Sequence, residues 1–219
     1  MGSCWDYEEW NWTKIAIWAA ILLVVGAVLI VLILAFAVIK TPTAMAEDAL
    51  LTSFELAPSP NSSNSTTAAT AKSPLQVLSY KATAAVSMRN PNLHYAISFG
   101  PVAAAFSFNG TLFDESGTVA AFNLAARKET TVRLKVGGVD KALPKLPAGG
   151  AAEFARQKEA GRFEVEVRLD TVMQYKGRKA KCPLVVICTL SLQLVDPDVA
   201  ATSFQKTKCT ILRAKMSGC

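Results

Sequence analysis

From Ile15 to Ile39 the chain runs IAIWAAILLVVGAVLIVLILAFAVI, twenty-five positions without a charge, flanked by Lys14 and Lys40. At ~1.5 Å per residue a helix of this length measures about 37 Å, more than the ~30 Å hydrocarbon core of a bilayer. A soluble domain has no use for so long an apolar run. The segment 15–39 is therefore read as a single transmembrane helix, its excess length accommodated by tilt or by a thick bilayer such as a plasma membrane. This divides the chain into a short tail (1–14), the helix, a juxtamembrane linker (40–47) and one domain (48–219), long enough for its own core.

All four tryptophans, Trp5, Trp10, Trp12 and Trp18, fall before or just inside the span with Tyr7, as in one half of an interfacial aromatic belt. The apolar run exceeds that of a cleaved signal peptide, which favours retention as an anchor. Thr43-Ala44-Met45-Ala46 ends in an A-x-A-like sequence, so cleavage after Ala46, giving a soluble secreted domain, is the competing reading. One lysine on each side of the span leaves the positive-inside rule without a preference.

Sequons favour a lumenal or extracellular C-terminal domain, with their chance occurrence in a Ser/Asn-rich loop as the rival reading. Asn61-Ser62-Ser63, Asn64-Ser65-Thr66 and Asn109-Gly110-Thr111 fit the glycosylation pattern, marking Asn61, Asn64 and Asn109 as candidate acceptors. Asn61 and Asn64 sit in the polar loop 58–74, whereas Asn109-Gly110 between FSF and TLF also has the signature of a type I′ hairpin turn. With Cys4 on the cytosolic side, Cys182, Cys188, Cys209 and Cys219 form an even set with three possible connectivities. A hairpin of Val186–Leu194 with Lys206–Arg213 about Asp196-Pro197-Asp198 would set Cys188 opposite Cys209, making them the candidate bridge; buried free thiols are the alternative. Cys182 and Cys188 would be ~20 Å apart on one strand and do not pair.

After the polar loop the pattern has period two. Val132, Leu134 and Val136 alternate with Thr131, Arg133 and Lys135; Phe163, Val165, Val167 and Leu169 alternate with Glu164, Glu166, Arg168 and Asp170; Cys188, Leu190, Leu192 and Leu194 alternate with Thr189, Ser191 and Gln193. Further strands are expected at Leu50–Leu56, Val77–Met88, His94–Phe99, Val102–Phe108 and Thr118–Phe122, and a helix at Ala151–Ala160 between Gly149-Gly150 and Gly161. The fold class is all-β: an antiparallel β-sandwich of immunoglobulin/fibronectin-like kind with one short helix, preceded by a transmembrane helix.

Three runs of residues resemble a known family. Asp48-Ala-Leu-Leu-Thr-Ser-Phe-Glu-Leu56 follows the span, Arg89-Asn90-Pro91-Asn92 closes a long strand, and Lys176-Gly-Arg-Lys-Ala-Lys-Cys182 precedes the last strands. Together they resemble the plant late-embryogenesis-abundant group 2 domain, in its membrane-anchored harpin-induced and non-race-specific disease resistance-like branch, over nearly the whole chain. The short acidic tail differs from the longer basic or proline-rich one common in members. The resemblance implies a non-enzymatic membrane protein of stress or defence responses.

The residues themselves carry no catalytic constellation. His94 is the only histidine, which rules out a histidine metal cluster, and no G-x-S-x-G, H-E-x-x-H, C-x-x-C, P-loop or G-x-G-x-x-G pattern occurs. No cofactor is expected. Asn90, Pro91 and Asn92 form a rigid turn at a strand end, since proline fixes φ and asparagine bonds its own backbone. Lys176, Arg178, Lys179 and Lys181, at a loop tip marked by Gly177, are the candidate basic contact patch, with a merely solvated hairpin end as its rival reading. After Lys40 there are 21 basic and 14 acidic residues, a surplus suited to anionic partners. Nucleic acid is not among them, as the run lacks interleaved aromatics and an external domain lacks access. The expected function is a plasma-membrane protein with its domain outside the cell, adhering to cell-wall polymers, anionic lipid or a receptor protein. The alternative is a lipid-binding module of the endoplasmic reticulum or another endomembrane, gripping acyl chains between its sheets.

Overall fold

The computed structural model describes residues 12–37, 39–58, 76–143, 146–195 and 204–213. The chain forms two units, Met1–Lys40 and Thr41–Cys219. The first is built on α1 (Trp12–Ala37), whose described side chains, 12–34, are exposed almost throughout. Its Trp12–Leu34 stretch is long and apolar enough to cross a membrane by length and composition. The helix starts a turn before the expected 15–39 and ends at Ala37, ahead of the Thr41-Pro42 pair that disfavours helical geometry.

The second unit holds two antiparallel sheets. Strands β1 (Thr43–Pro58), β2 (Gln76–Arg89), β7 (Glu129–Leu143) and β10 (Thr207–Lys208) form the first, in the order β10-β1-β2-β7. The second runs β11-β9-β8-β3-β6 through β3 (Ile97–Phe99), β6 (Phe122–Leu124), β8 (Arg162–Tyr175), β9 (Cys182–Gln193) and β11 (Thr210–Arg213). Within it, β4 (Val102–Phe108) pairs with β8, and β5 (Thr111–Val119) pairs with β4. Helix α2 (Gly150–Glu159) joins β7 to β8. The sandwich class expected from period-two patterning is what the sheets build.

Facing sides of the sheets are apolar because the alternation in β7, β8 and β9 sends every second residue inward. Phe54 on β1 is the aromatic hub. Its ring centroid lies 4.9 Å from Phe163, 5.3 Å from Phe154 on α2, and 5.6 Å from both Phe108 and Phe113. Most of these contacts are edge-on or tilted, the arrangement aromatic quadrupoles favour. These rings occupy the interior where the alternative reading required an acyl-binding crevice.

Strand boundaries differ from expectation where the side chains are small. The linker 40–47 is largely strand: β1 begins at Thr43, not Leu50, with Ala44 and Ala46 buried and Thr43 opposite Arg89. Alanine fills an inward position without announcing it in a hydropathy pattern. The A-x-A-like sequence thus forms the first rungs of β1, and cleavage after Ala46 would strip them from β2. The segment expected at Thr118–Phe122 divides into the end of β5 and the start of β6. Only Ile97–Phe99 of the expected His94–Phe99 strand is extended in a ladder, because Asn90 holds the preceding loop.

Register defines two ends of the sandwich. Thr43, Arg89 and Glu129 start or finish β1, β2 and β7 together, and the β8–β9 connection follows Tyr175 at that same end. This is the entry end, where the chain arrives from α1. The Asn109-Gly110 turn and α2 lie at the other.

Candidate functional site

Asn90 organises the entry end. Fully buried, its side-chain Nδ2 donates to the carbonyls of Tyr95 (2.8 Å), Ala125 (3.1 Å) and Leu124 (3.2 Å). Its Oδ1 accepts from the backbone N–H of Asn92 (3.0 Å) and from Asn92 Nδ2 (2.9 Å). The first of these closes an Asx turn over Pro91. Its own N–H donates to Lys128 O at 2.9 Å, while Arg127 N–H donates to Asn92 O at 3.1 Å. One side chain therefore fastens loops 90–96 and 124–128. The sequence reading gave Asn92 the self-bonding part; the tertiary contacts give the larger part to Asn90.

The basic turn docks on this frame. Lys176 N–H donates to Ala96 O at 2.9 Å, Arg178 N–H to Tyr175 O at 3.0 Å, and Gln174 Nε2 to Arg178 O at 2.7 Å. Gly177 adopts φ 87°, the left-handed conformation that glycine allows in so tight a reversal. Lys176, Arg178, Lys179 and Lys181 are all exposed, and Arg89, Arg127 and Lys128 join them at the same end. Three of the seven cations, Arg89 at the end of β2 and Arg127 and Lys128 in the loop before β7, are distant in sequence from the 176–181 run, so only the fold collects them. The nearby Glu129 carboxylate is engaged by the Ser87 hydroxyl. Such a concentration of cations on fixed backbone produces a field that attracts polyanions.

The cysteines tie the two sheets together. Cys188 and Cys209 are bridged, with S–S 2.00 Å and Cα atoms 4.4 Å apart. Cys209 sits where the chain passes from β10 in one sheet to β11 in the other, and its N–H donates to Ala44 O at 3.1 Å. Cys182 is disulfide-bonded as well. The alternative of buried free thiols does not hold for Cys182, Cys188 or Cys209.

Asn109 adopts φ 47° and Gly110 φ 74°, both positive as a type I′ turn requires. Asn109 is exposed at the far end, its amide nitrogen close to the first turn of α2 beside Gly150. It lines a cleft of about 420 Å³ with Glu153, Gln157, Glu164 and Glu166. Glu153 is held by Arg156 and Gln157, which bring its carboxyl down to about 2. Asn61 and Asn64, together with Asp196 and Asp198, lie outside the described residues. His94 is exposed, and among the described residues no group of three or more His, Cys, Asp and Glu side chains is placed to hold a metal ion.

A buried polar cluster escaped the sequence reading. The Asp114 side chain on β5 is wholly buried, and Tyr80 Oη on β2 donates to its Oδ2 at 2.5 Å. Lys141 Nζ on β7 donates to Tyr80 Oη at 2.9 Å and stands 3.7 Å from Asp114 Oδ2. The cluster bridges the sheets, since β5 belongs to one and β2 and β7 to the other. Asp114 sits in the mixed strand TLFDESGTV beside Glu115, so the sequence carries no signal that singles it out. Burial raises the Tyr80 hydroxyl, and the bond to Tyr80 raises Lys141. Both shifts favour the protonated groups in the fold, so their stabilisation is complete below the unfolded values and disappears as pH rises through the folded ones. Stability is expected to fall once pH passes 10.0, the ordinary tyrosine value. Tyr80→Phe should lower unfolding stability by about 2 kcal/mol at neutral pH, by removing the Tyr80 hydroxyl from the buried Asp114 carboxylate, and should make the alkaline fall shallower. Chemical denaturation across pH measures both.

Residues 85–184 match the family model described as late embryogenesis abundant protein. The match runs from within β2 to within β9 and contains Asn90, Pro91, Asn92 and the basic turn. No curated protein matches the chain.

Proposed function

We propose that the chain is a non-catalytic interaction protein of plant stress or defence responses, a reading supported by the match of residues 85–184 to the late embryogenesis abundant family model. The α1 helix anchors it in the plasma membrane, and the sandwich is displayed outside the cell. The observation that carries this reading is the oxidised Cys188–Cys209 pair, which pins the two sheets of a sandwich whose entry end gathers seven exposed cations. Structural disulfides persist in secretory and extracellular compartments and are rare in the cytosol. The cations suit an anionic partner, with acidic wall polymers, anionic lipid and acidic receptor faces sharing that chemistry. Tethering requires no catalytic group: α1 holds one side and the cationic end the other. The lipid-handling alternative draws support from the family, yet the Phe54 ring cluster fills the interior it would use.

Sealed microsomes from plant cells expressing the full chain test the topology. The domain is expected to resist added protease until detergent is present, and Cys188 and Cys209 to resist alkylation until reduced. Digestion without detergent, or free thiols at both positions, overturns the external placement.

A further inference from the structure

The outer face of the second sheet changes character along its length. Towards the far end it presents Glu164, Glu166, Thr189, Ser191 and Gln193. Towards the entry end, Pro101, Val172, Pro183 and Val185 line a shallow depression of about 340 Å³. Cross-strand pairing adds Leu212, opposite Val185 on β11, while Val172 stands opposite Pro183. Leu212 and Val172 are 52% and 43% exposed, high for aliphatic side chains on a sheet face. Asp170, which borders this shelf, is clasped by Arg168 through bonds of 2.9 and 3.1 Å. Gln174, on the same face, draws the Arg178 carbonyl to it, so the basic turn folds beside the shelf. Five residues separate Ala37 of α1 from Thr43 of β1, a reach of at most roughly 20 Å.

We propose that this shelf and the basic turn together form a seat for the anionic bilayer surface in which the protein is itself anchored. The shelf enters the glycerol region, and Lys176, Arg178, Lys179 and Lys181 meet lipid phosphates and carboxylates. The inference rests on the anchoring through α1 proposed above and names the anionic partner. A polysaccharide would be satisfied by the cations alone; the aliphatic shelf distinguishes a lipid interface, which has an apolar layer directly beneath its charges. The short tether keeps the entry end within reach of that layer.

The test uses the full chain in nanodiscs of phosphatidylcholine, with or without phosphatidylserine, containing a phospholipid that bears a diazirine near its glycerol. After irradiation, adducts are mapped by mass spectrometry. Adducts are expected on peptides carrying Val172, Pro183 and Leu212, in several-fold higher yield with phosphatidylserine, and not on the β7 peptide carrying Arg133 and Lys135. Replacing Lys176, Arg178, Lys179 and Lys181 by Gln should reduce the yield in phosphatidylserine discs about tenfold. Val172→Glu with Leu212→Glu should abolish the sandwich adducts while the Cys188–Cys209 bridge still forms. Adducts confined to α1, adducts spread equally over both sheets, or adducts persisting in the bridged double variant overturn the seat. The microsome result is independent of all three, so an external domain without a lipid seat remains a distinguishable outcome.

Discussion

Replacing Asn90 by Ala is expected to lower the unfolding free energy by about 3 kcal/mol and the domain's Tm by about 10 °C. The variant deletes the donor shared by the carbonyls of Tyr95, Leu124 and Ala125, and the acceptor for both Asn92 groups. The Asn90 side chain is 0% exposed, so its loss removes buried hydrogen bonds that the fold otherwise supplies. Asn90→Asp should be worse still, since it aims a carboxylate at three carbonyl oxygens. The effect extends to function, because Lys176 hangs from Ala96 in the same loop. Differential scanning calorimetry of the detergent-solubilised chain, with lysine footprinting at Lys176, Lys179 and Lys181, reads both consequences. A Tm unchanged by Asn90→Ala would reduce Asn90 to an ordinary turn residue.

The second large effect concerns the bridge. Replacing Cys188 and Cys209 together by Ala is expected to cost about 3 kcal/mol by the chain-entropy account, for a closed loop with a sequence separation of 21. Strand β11 has only four residues on β9, so its amides should exchange far faster than those of the β8–β9 ladder once the bridge is gone. Hydrogen exchange in the double variant measures this directly. Leu212 would then leave the shelf, and its lipid adduct should disappear while that on Val172 persists. Equal protection of Thr210–Arg213 with and without the bridge would mean that packing alone holds the crossover.

Much of this architecture is local and therefore legible. The apolar run that becomes α1 needs no partner to be recognised, and period-two alternation in β7, β8 and β9 identifies two-faced strands because each residue reports its own side. Asn109-Gly110 announced its turn through the one conformation those residues tolerate cheaply. The Cys188–Cys209 pairing followed from a plausible hairpin, although the chain in fact crosses between sheets there.

What depended on distant contacts was hidden. Ala44 and Ala46 are core residues only because β2 lies beside them, so the start of the domain was read several residues late. Asp114 looked like a stray charge until Tyr80 and Lys141, 34 and 61 positions apart from Asp114 and Tyr80 respectively, closed around it. Asn90 differed from any turn asparagine only through carbonyls more than thirty residues away. The sequence by itself determined the long apolar helix, the strand pattern and the four clustered cations of the β8–β9 turn. Only the tertiary structure decided that Arg89, Arg127 and Lys128 join those cations at the entry end, and that an aliphatic shelf lies next to them. Periodicity records which way a side chain points relative to its neighbours in the chain; it holds no record of which strand is adjacent in space.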